Sequence, residues 1–371
     1  MQKAKNIVII SPFFFPEPIS TGKFNTDVAL KLQEEGHQVT VLCSHPFYPD
    51  WKTRYSSEKL EGITIIRGGN KIKYPNKISL RRIVLEIWYA LFILKNIKKH
   101  QNKIDVIIPV FPPSLAFYTA SFFIKKEIKK IGIIHDLQII YSSQKKGLFN
   151  KLITFFIKRV EKSCFKTCDT LIFLSEEMKN AALDIYKISK IKCQVQFPFT
   201  TIIDKPLSDN LKNILPNNQH NIVYSGALGE KQNPNELLDV YDYISKNISN
   251  TICYFFSQGP IFEELKKRNN NSKIKFYSLV SKDDVQELYA RSSIQIVPQL
   301  PNTSNGSLPS KLPNILASET KTLVITDKNS ELEQLFNDYN LQKVITTWDK
   351  QIIVCAIKEL LEQKIDLKKQ K

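Results

Sequence analysis

Short runs of β-branched residues alternate with amphipathic stretches along the chain, and the alternation occurs twice with a polar break between the rounds. This pattern constrains the fold most, because strand, helix and second strand pair in parallel through a right-handed crossover. The first round opens with Ile7-Val8-Ile9-Ile10, ending at Ser11-Pro12. Phe24, Val28 and Leu32 then recur every four residues, the stripe of a helix, and Gly36 offers that helix a left-handed end. Val39-Thr40-Val41-Leu42-Cys43 reads as the second strand. Strands are expected next at 104–110, 131–134 and 170–174, and helices at 113–124, 148–165 and 175–186.

Proline and polar residues gather from Pro198 to Asn221. The pattern restarts with Ile222-Val223-Tyr224, a helix near 234–246 and a strand at 251–257. Ser281-Lys282-Asp283-Asp284 has the hydroxyl and early acids of a helix start. A proline-rich loop at 298–313 opens a further helix, and Leu323-Val324-Ile325 forms a further strand. The fold class is therefore α/β: two Rossmann-like domains, residues 1–198 and 199–371, facing a central cleft. The last helix is available to pack back on the first domain. Ligands in such folds sit at the carboxyl ends of the strands.

At 371 residues the chain is long enough for two ordinary domains. No apolar run reaches the ~18–20 residues of a membrane-spanning helix. The run after Met1-Gln2-Lys3-Ala4-Lys5 is too short for a signal-peptide core, which points to the cytoplasm. The six cysteines, at 43, 164, 168, 193, 253 and 355, have neither zinc-ribbon nor disulfide-scaffold spacing, so no metal or cofactor is expected. Cys43, Cys253 and Cys355 fall on apolar faces and read as core.

Charge is distributed unevenly. Residues 1–200 carry 32 basic and 16 acidic side chains, whereas residues 201–371 carry 21 and 20. A one-sided basic surface attracts polyanions. Lys71-Ile72-Lys73-Tyr74, the run from Arg81 to Phe92, and Leu148–Lys166 with Phe155-Phe156 and Lys158-Arg159 mix basic flanks with apolar aromatics. Such helices suit the headgroup layer of an anionic membrane, and buried helices with solvated lysines are an equal reading of Leu148–Lys166. Nucleic acid is not expected, since no recognisable binding motif is present.

Only 11 glycines occur, and Gly22, Gly226, Gly229 and Gly306 fall in strand-to-helix loops. Glycine there admits a ligand close to the backbone and lets amides meet phosphate. There is no Gly-x-Gly-x-x-Gly and no Walker sequence, so dinucleotide oxidoreductases and P-loop ATPases lose their support. The loops Ser225-Gly226-Ala227-Leu228-Gly229-Glu230-Lys231 and Asn305-Gly306-Ser307-Leu308-Pro309-Ser310-Lys311 each bring a lysine toward a following helix. One such loop is an ordinary turn; two in one domain favour a diphosphate site. Ile133-Ile134-His135-Asp136 ends a strand with a titratable pair, which is as often structural as catalytic.

Together these residues resemble glycosyltransferase family four, the retaining GT-B enzymes, and within it the bacterial colanic-acid fucosyltransferase and L-fucosamine transferase type. The resemblance rests on Pro16-Glu17-Pro18 with Thr21-Gly22-Lys23, Glu35 to Val41, Pro46-Phe47-Tyr48-Pro49 before Trp51, and His135-Asp136-Leu137. It continues through Tyr224-Ser225-Gly226, Gly229-Glu230-Lys231-Gln232, and Pro309-Ser310-Lys311-Leu312 before Asn314. It implies metal-independent hexosyl transfer from a UDP- or GDP-sugar to a polyprenyl-diphosphate-linked saccharide, in capsule, O-antigen, lipopolysaccharide or exopolysaccharide synthesis. The enzyme would sit on the inner face of the plasma membrane.

The resemblance also implies roles for individual residues. His135 would contact the transferring sugar, with Asp136 beside it. Gly22 and Lys23 would approach the donor phosphates from the first domain. Ser225, Gly226, Gly229 and Lys231 would surround the diphosphate, with Gly306, Ser307, Ser310 and Lys311 holding the sugar and distal phosphate. Asn314 would meet the ribose, and Glu17, Tyr48 and Trp51 would lie toward the acceptor. Three departures stand out: Ala227 replaces an arginine that Lys311 can substitute, Asn314 replaces a glutamate, and Glu319-Thr320-Lys321-Thr322 replaces a Gly-x-Pro turn. These leave two other readings: a catalytically weak relative that partners another transferase, or a sugar-nucleotide epimerase.

Overall fold

A strand of Val and Ile with one polar start can be buried on both faces, and in a computed structural model of the protein this one lies inside a parallel sheet. The structure describes residues 3–17, 19–100, 103–143, 148–197, 206–281, 283–304 and 308–363. The chain divides into two units, Met1–Phe197 and Pro198–Lys371.

In the first unit the strands are β1 (Asn6–Ile10), β2 (Gln38–Ser44), β3 (Ile63–Gly68), β4 (Val106–Phe111), β5 (Lys129–Ile134), β6 (Thr170–Phe173) and β7 (Cys193–Val195). They order as β3-β2-β1-β4-β5-β6-β7, with every pair parallel. The helices are α1 (Ser20–Glu34), α2 (Ile78–His100), α3 (Leu115–Ser121), α4 (Gln138–Ser143), α5 (Leu148–Thr167) and α6 (Glu176–Tyr186). The two-residue period of β1 sends Ile7 and Ile9 to the face covered by α1 and Val8 and Ile10 to the face covered by α2, α3, α5 and α6.

The second unit repeats the plan with β8 (His220–Ser225), β9 (Thr251–Phe256), β10 (Ile274–Tyr277), β11 (Ile294–Pro298), β12 (Thr322–Ile325) and β13 (Lys343–Ile345). Their order is β10-β9-β8-β11-β12-β13, again all parallel. Helices α7 (Pro234–Asn247), α8 (Pro260–Arg268), α9 (Val285–Ala290), α10 (Leu312–Ala317), α11 (Glu331–Asp338) and α12 (Lys350–Glu362) follow. α7, α8 and α12 cover one face, and α9, α10 and α11 the other. In both sheets the strand order reverses beside the first strand, between β1 and β4 and between β8 and β11. In folds of this kind such a reversal is where loops diverge and a ligand is received.

Several expectations change. β3, β7 and β13 escape the periodicity reading because they are edge strands, two of them only three residues long. The helix expected at 113–124 is shorter: α3 begins after an N-cap at Ser114 and ends at Ser121. Cys43 and Cys253 are buried as expected, but Cys355 is exposed on α12. α12 itself gives Ile353, Val354, Ile357 and Leu360 to the second unit's core.

A glycine-poor chain needs other ways to turn. Of the nine non-glycine residues at positive φ among the described residues, five are asparagines: Asn233, Asn250, Asn302, Asn329 and Asn340. Asparagine tolerates this region better than other side chains. Lysines close several carbonyl ends. Lys321 Nζ donates to the carbonyls of Leu360, Leu361 and Gln363 at the end of α12, at 2.6, 3.3 and 2.9 Å. Lys192 does the same for Phe165, Lys166 and Cys168 after α5, at 2.6, 3.1 and 2.9 Å, and the buried Lys130 for Lys125, Lys126 and Ile128.

Candidate active site

In the first unit, the loop after β1 is built around two buried polar groups. Ser11 Oγ donates to the Phe13 carbonyl at 2.9 Å and accepts from Asn25 Nδ2 at 2.9 Å, tying the end of β1 to α1. Glu17 accepts from the backbone amides of Phe47 and Tyr48, so its carboxylate joins the loops after β1 and β2. Burial raises its pKa to about 7 against the pull of those amides. Glu17 therefore spends its oxygens on the backbone and shapes the loop carrying Tyr48.

Gly22 answers to the same carboxylate residue. A Cβ at Gly22 would lie 3.2 Å from the Glu17 carbonyl oxygen and 3.3 Å from the Glu17 Cβ. The close approach that demands glycine here is therefore between the first turn of α1 and Glu17. Lys23, the next residue, is exposed. Trp51 stands in an aromatic group, 5.2 Å from both Phe47 and Tyr74, with the Arg81 guanidinium 5.0 Å over its ring.

His135 follows β5, and its amide donates to the Phe111 carbonyl of β4 at 2.9 Å, which places it at the carboxyl edge of the sheet, one strand beyond the order reversal. The imidazole is buried and packs edge-on against Phe24 at 5.0 Å. Among the described residues its Nε2 has no hydrogen-bond partner. Burial pushes its pKa down to about 4, against a smaller upward pull from Asp136. The ring is thus neutral near pH 7, with one nitrogen unspent at a cost of roughly 1–3 kcal/mol. Asp136 is half-buried beside it.

The segment after His135 is held from below by two buried carboxylates the sequence reading missed. Glu161 of α5 accepts from the Gln138 amide at 3.1 Å and from the Tyr186 hydroxyl. Glu86 of α2 accepts from Gln138 Nε2 at 3.1 Å and from the Leu115 amide at 2.9 Å. Each carboxylate caps a helix N-terminus from another element, Glu161 that of α4 and Glu86 that of α3. Burial raises both pKa values, that of Glu161 to about 7.

In the second unit, Gly226 has φ +123°, a conformation that favours glycine, at the end of β8. The Ser225 hydroxyl is turned to Gln295 at 3.1 Å and to Tyr289. Lys311 reaches back from the N-cap of α10. Its Nζ donates to the Ser225 carbonyl at 2.9 Å and lies 4.0 Å over the Tyr224 ring. Burial lowers its pKa to about 7, and among the described residues no carboxylate answers it.

A second tie runs from the Leu300 amide to the Lys231 carbonyl at 2.8 Å, so the loops after β8 and β11 are joined at two points. Asp327 fixes the far side of the second loop by accepting from the amides of Asn302 and Ser304 at 2.8 and 3.2 Å. Gly229 stands at the start of the turn carrying Lys231, its amide bound to Gln232 Oε1 at 2.9 Å. Lys231 and Asn314 are half-buried, and Ser310 and Ala227 are exposed. Gly306 and Ser307 lie outside the described residues. The structure therefore gathers Ser225, Gly226 and Lys311 at one point and adds Tyr224, which only its place at a strand's carboxyl end could have signalled.

Residues 21–197 match the family model "Glycosyltransferase Family 4", and residues 209–371 match "Glycosyl transferases group 1". The chain is a family-four glycosyltransferase of the GT-B type. The enzyme is 24% identical over 357 residues to a protein of Escherichia coli (strain K12) bearing the name colanic acid biosynthesis glycosyl transferase WcaI, covering 89% of this chain and 85% of that protein. Among solved structures it shares its fold with sucrose-phosphate synthase from Thermosynechococcus elongatus, with a TM-score of 0.72 at 13% identity over 99% of this chain and 91% of that one. Anabaena HepE, solved with UDP, gives a TM-score of 0.64 at 14% identity over 98% and 91%.

Proposed function

We propose that this glycosyltransferase moves a sugar, with retention of configuration and without a metal ion, from a UDP- or GDP-linked donor to a polyprenyl-diphosphate-linked glycan in surface polysaccharide assembly. The name of its Escherichia coli relative supports the polysaccharide class, and the UDP in HepE supports a nucleoside diphosphate as the donor's leaving half. Capsule, O-antigen, lipopolysaccharide and exopolysaccharide all fit that class. The observation that carries the reading is Lys311: a cation withdrawn from water, beside Gly226, with a carbonyl and a ring for company and no carboxylate.

Cleavage of the sugar–phosphate bond builds negative charge on the diphosphate. Lys311 and Lys231, with the amides at the open end of β8, stabilise that charge in place, without reorganisation when it forms. Ala227 removes one cationic side chain from this loop, and Lys311 stands next to the gap. In the first unit the neutral His135 keeps Nε2 for the sugar, orienting it without becoming charged. Asn314 offers a ribose hydroxyl a neutral partner in place of a carboxylate.

The test is donor-dependent glycosylation of a lipid-linked saccharide, preceded by a thermal-shift screen of UDP, GDP and their sugars. His135→Ala and Lys231→Ala should each lower turnover by about 10²-fold or more. Unchanged turnover in both variants overturns the site.

A further inference from the structure

Two helices of the first unit combine basic charge with runs of exposed apolar residues, whereas Tyr55, Phe122, Phe123, Ile191 and Phe197 are exposed elsewhere in that unit. α2 exposes Ile83, Ile87 and Leu91 at successive four-residue steps, and α5 exposes Leu152, Phe155 and Phe156. The exposures are high, 52% for Ile87, 64% for Leu91, 59% for Phe155 and 57% for Phe156. Among the described residues of the second unit the exposed large apolar ones are Leu207, Tyr339 and Ile352, widely separated in sequence.

Charge follows the same helices. α2 and α5 each contain five basic residues and one acidic residue. The two acids are Glu86 and Glu161, both turned inward as helix caps. Arg82, Lys151, Lys158 and Arg159 are exposed beside the apolar residues. The outward faces of α2 and α5 are therefore apolar and cationic, with no acid of either helix directed to solvent.

Position adds the third argument. In a parallel sheet each crossover helix runs against the strands, so the N-terminal halves of α2 and α5 lie at the carboxyl edge that holds His135. Both helices pack on the same sheet face, with α3 between them. No described helix is long and apolar enough to cross a membrane.

We infer that the outward faces of the first two-thirds of α2 and α5 dock on the surface of an anionic lipid bilayer, Ile87, Leu91, Phe155 and Phe156 entering the headgroup layer while Arg82, Lys158 and Arg159 meet lipid phosphates. Charge excludes a neutral protein groove, and the bilayer is favoured over an acidic one because apolar and basic residues interleave along the helix axes rather than forming a dry patch with a polar rim. This deepens the lipid-borne acceptor proposed above, on which its purpose rests, although its test needs no transfer.

Co-sedimentation with phosphatidylcholine vesicles, with and without phosphatidylglycerol, decides it. The enzyme should bind the anionic vesicles and lose binding as salt rises. The pairs Ile87→Ser with Leu91→Ser and Phe155→Ser with Phe156→Ser should each weaken partition about tenfold or more at an unchanged melting temperature. Lys158→Glu with Arg159→Glu should weaken it and flatten the salt dependence. Absent or salt-independent binding, or binding untouched by all three pairs, overturns the inference. So does a wild-type dimer that the Phe155 and Phe156 pair makes monomeric, which would assign the face to a second copy. Vesicle binding without UDP or GDP stabilisation would instead count against the donor reading alone.

Discussion

Lys311 Nζ stands 4.0 Å over the ring of Tyr224 at the open end of β8. The ring face and the Ser225 carbonyl favour the ammonium, but removal from water outweighs them and brings its pKa to about 7. A diphosphate arriving there restores the missing counter-charge and draws a proton onto the amine. UDP or GDP affinity should therefore fall as pH rises from 7 to 9. Calorimetry near pH 8 in buffers of different ionisation enthalpy should show proton uptake, and Lys311→Met should abolish it. The unliganded protein should behave in the opposite sense. An unfolded lysine titrates near 10.4, so the unfolded state binds more protons between 7 and 10 and stability from this group rises with pH. Lys311→Met should remove that rise in melts taken across the window.

Glu161 gives a prediction of opposite sign. Burial lifts its pKa to about 7, so ionisation costs more in the folded than in the unfolded chain. Its contribution is intact below the unfolded value near 4.3 and declines as pH climbs toward 7. Glu161→Gln keeps an acceptor for the Gln138 amide and should flatten the stability profile between pH 5 and 7. Glu161→Ala orphans that amide and the Tyr186 hydroxyl and should cost about 2–4 kcal/mol. Urea unfolding at pH 5 and 7 separates the two variants.

Glu319 sits at φ +55° just beyond α10, where the family resemblance expects glycine. Left-handed backbone costs an ordinary L-residue roughly 1–2 kcal/mol, part of which glycine repays as chain entropy. Glu319→Gly should raise stability by about 1 kcal/mol, read as a higher urea midpoint at unchanged slope. An equal or lower midpoint would show that contacts of the Glu319 side chain outweigh the strain.

Much of the fold was legible because β1, β2, β5 and β8 carry short runs rich in Val, Ile or Leu that end at serine or histidine at the ligand edge. The edge strands β3, β7 and β13 were not, since a strand paired on one side carries little pattern. Cys355 was misplaced because an apolar neighbourhood in sequence does not say which way a helix turns. At the site, the lysine-tipped loop ending at Lys311 was readable from spacing. Glu86 and Glu161 were not, because capping between elements distant in sequence leaves no local signature. Gly22 shows the converse: a glycine in the expected place whose missing side chain accommodates Glu17.

The lysines that close carbonyl ends change the meaning of the chain's formal charge. The ammonium groups of Lys130, Lys192 and Lys321 are already committed to main-chain oxygens. An acylating reagent should find them slow, and each one modified would open a turn or helix end instead of merely neutralising the surface. In a polypeptide this sparing with glycine, part of the lysine content works as mortar.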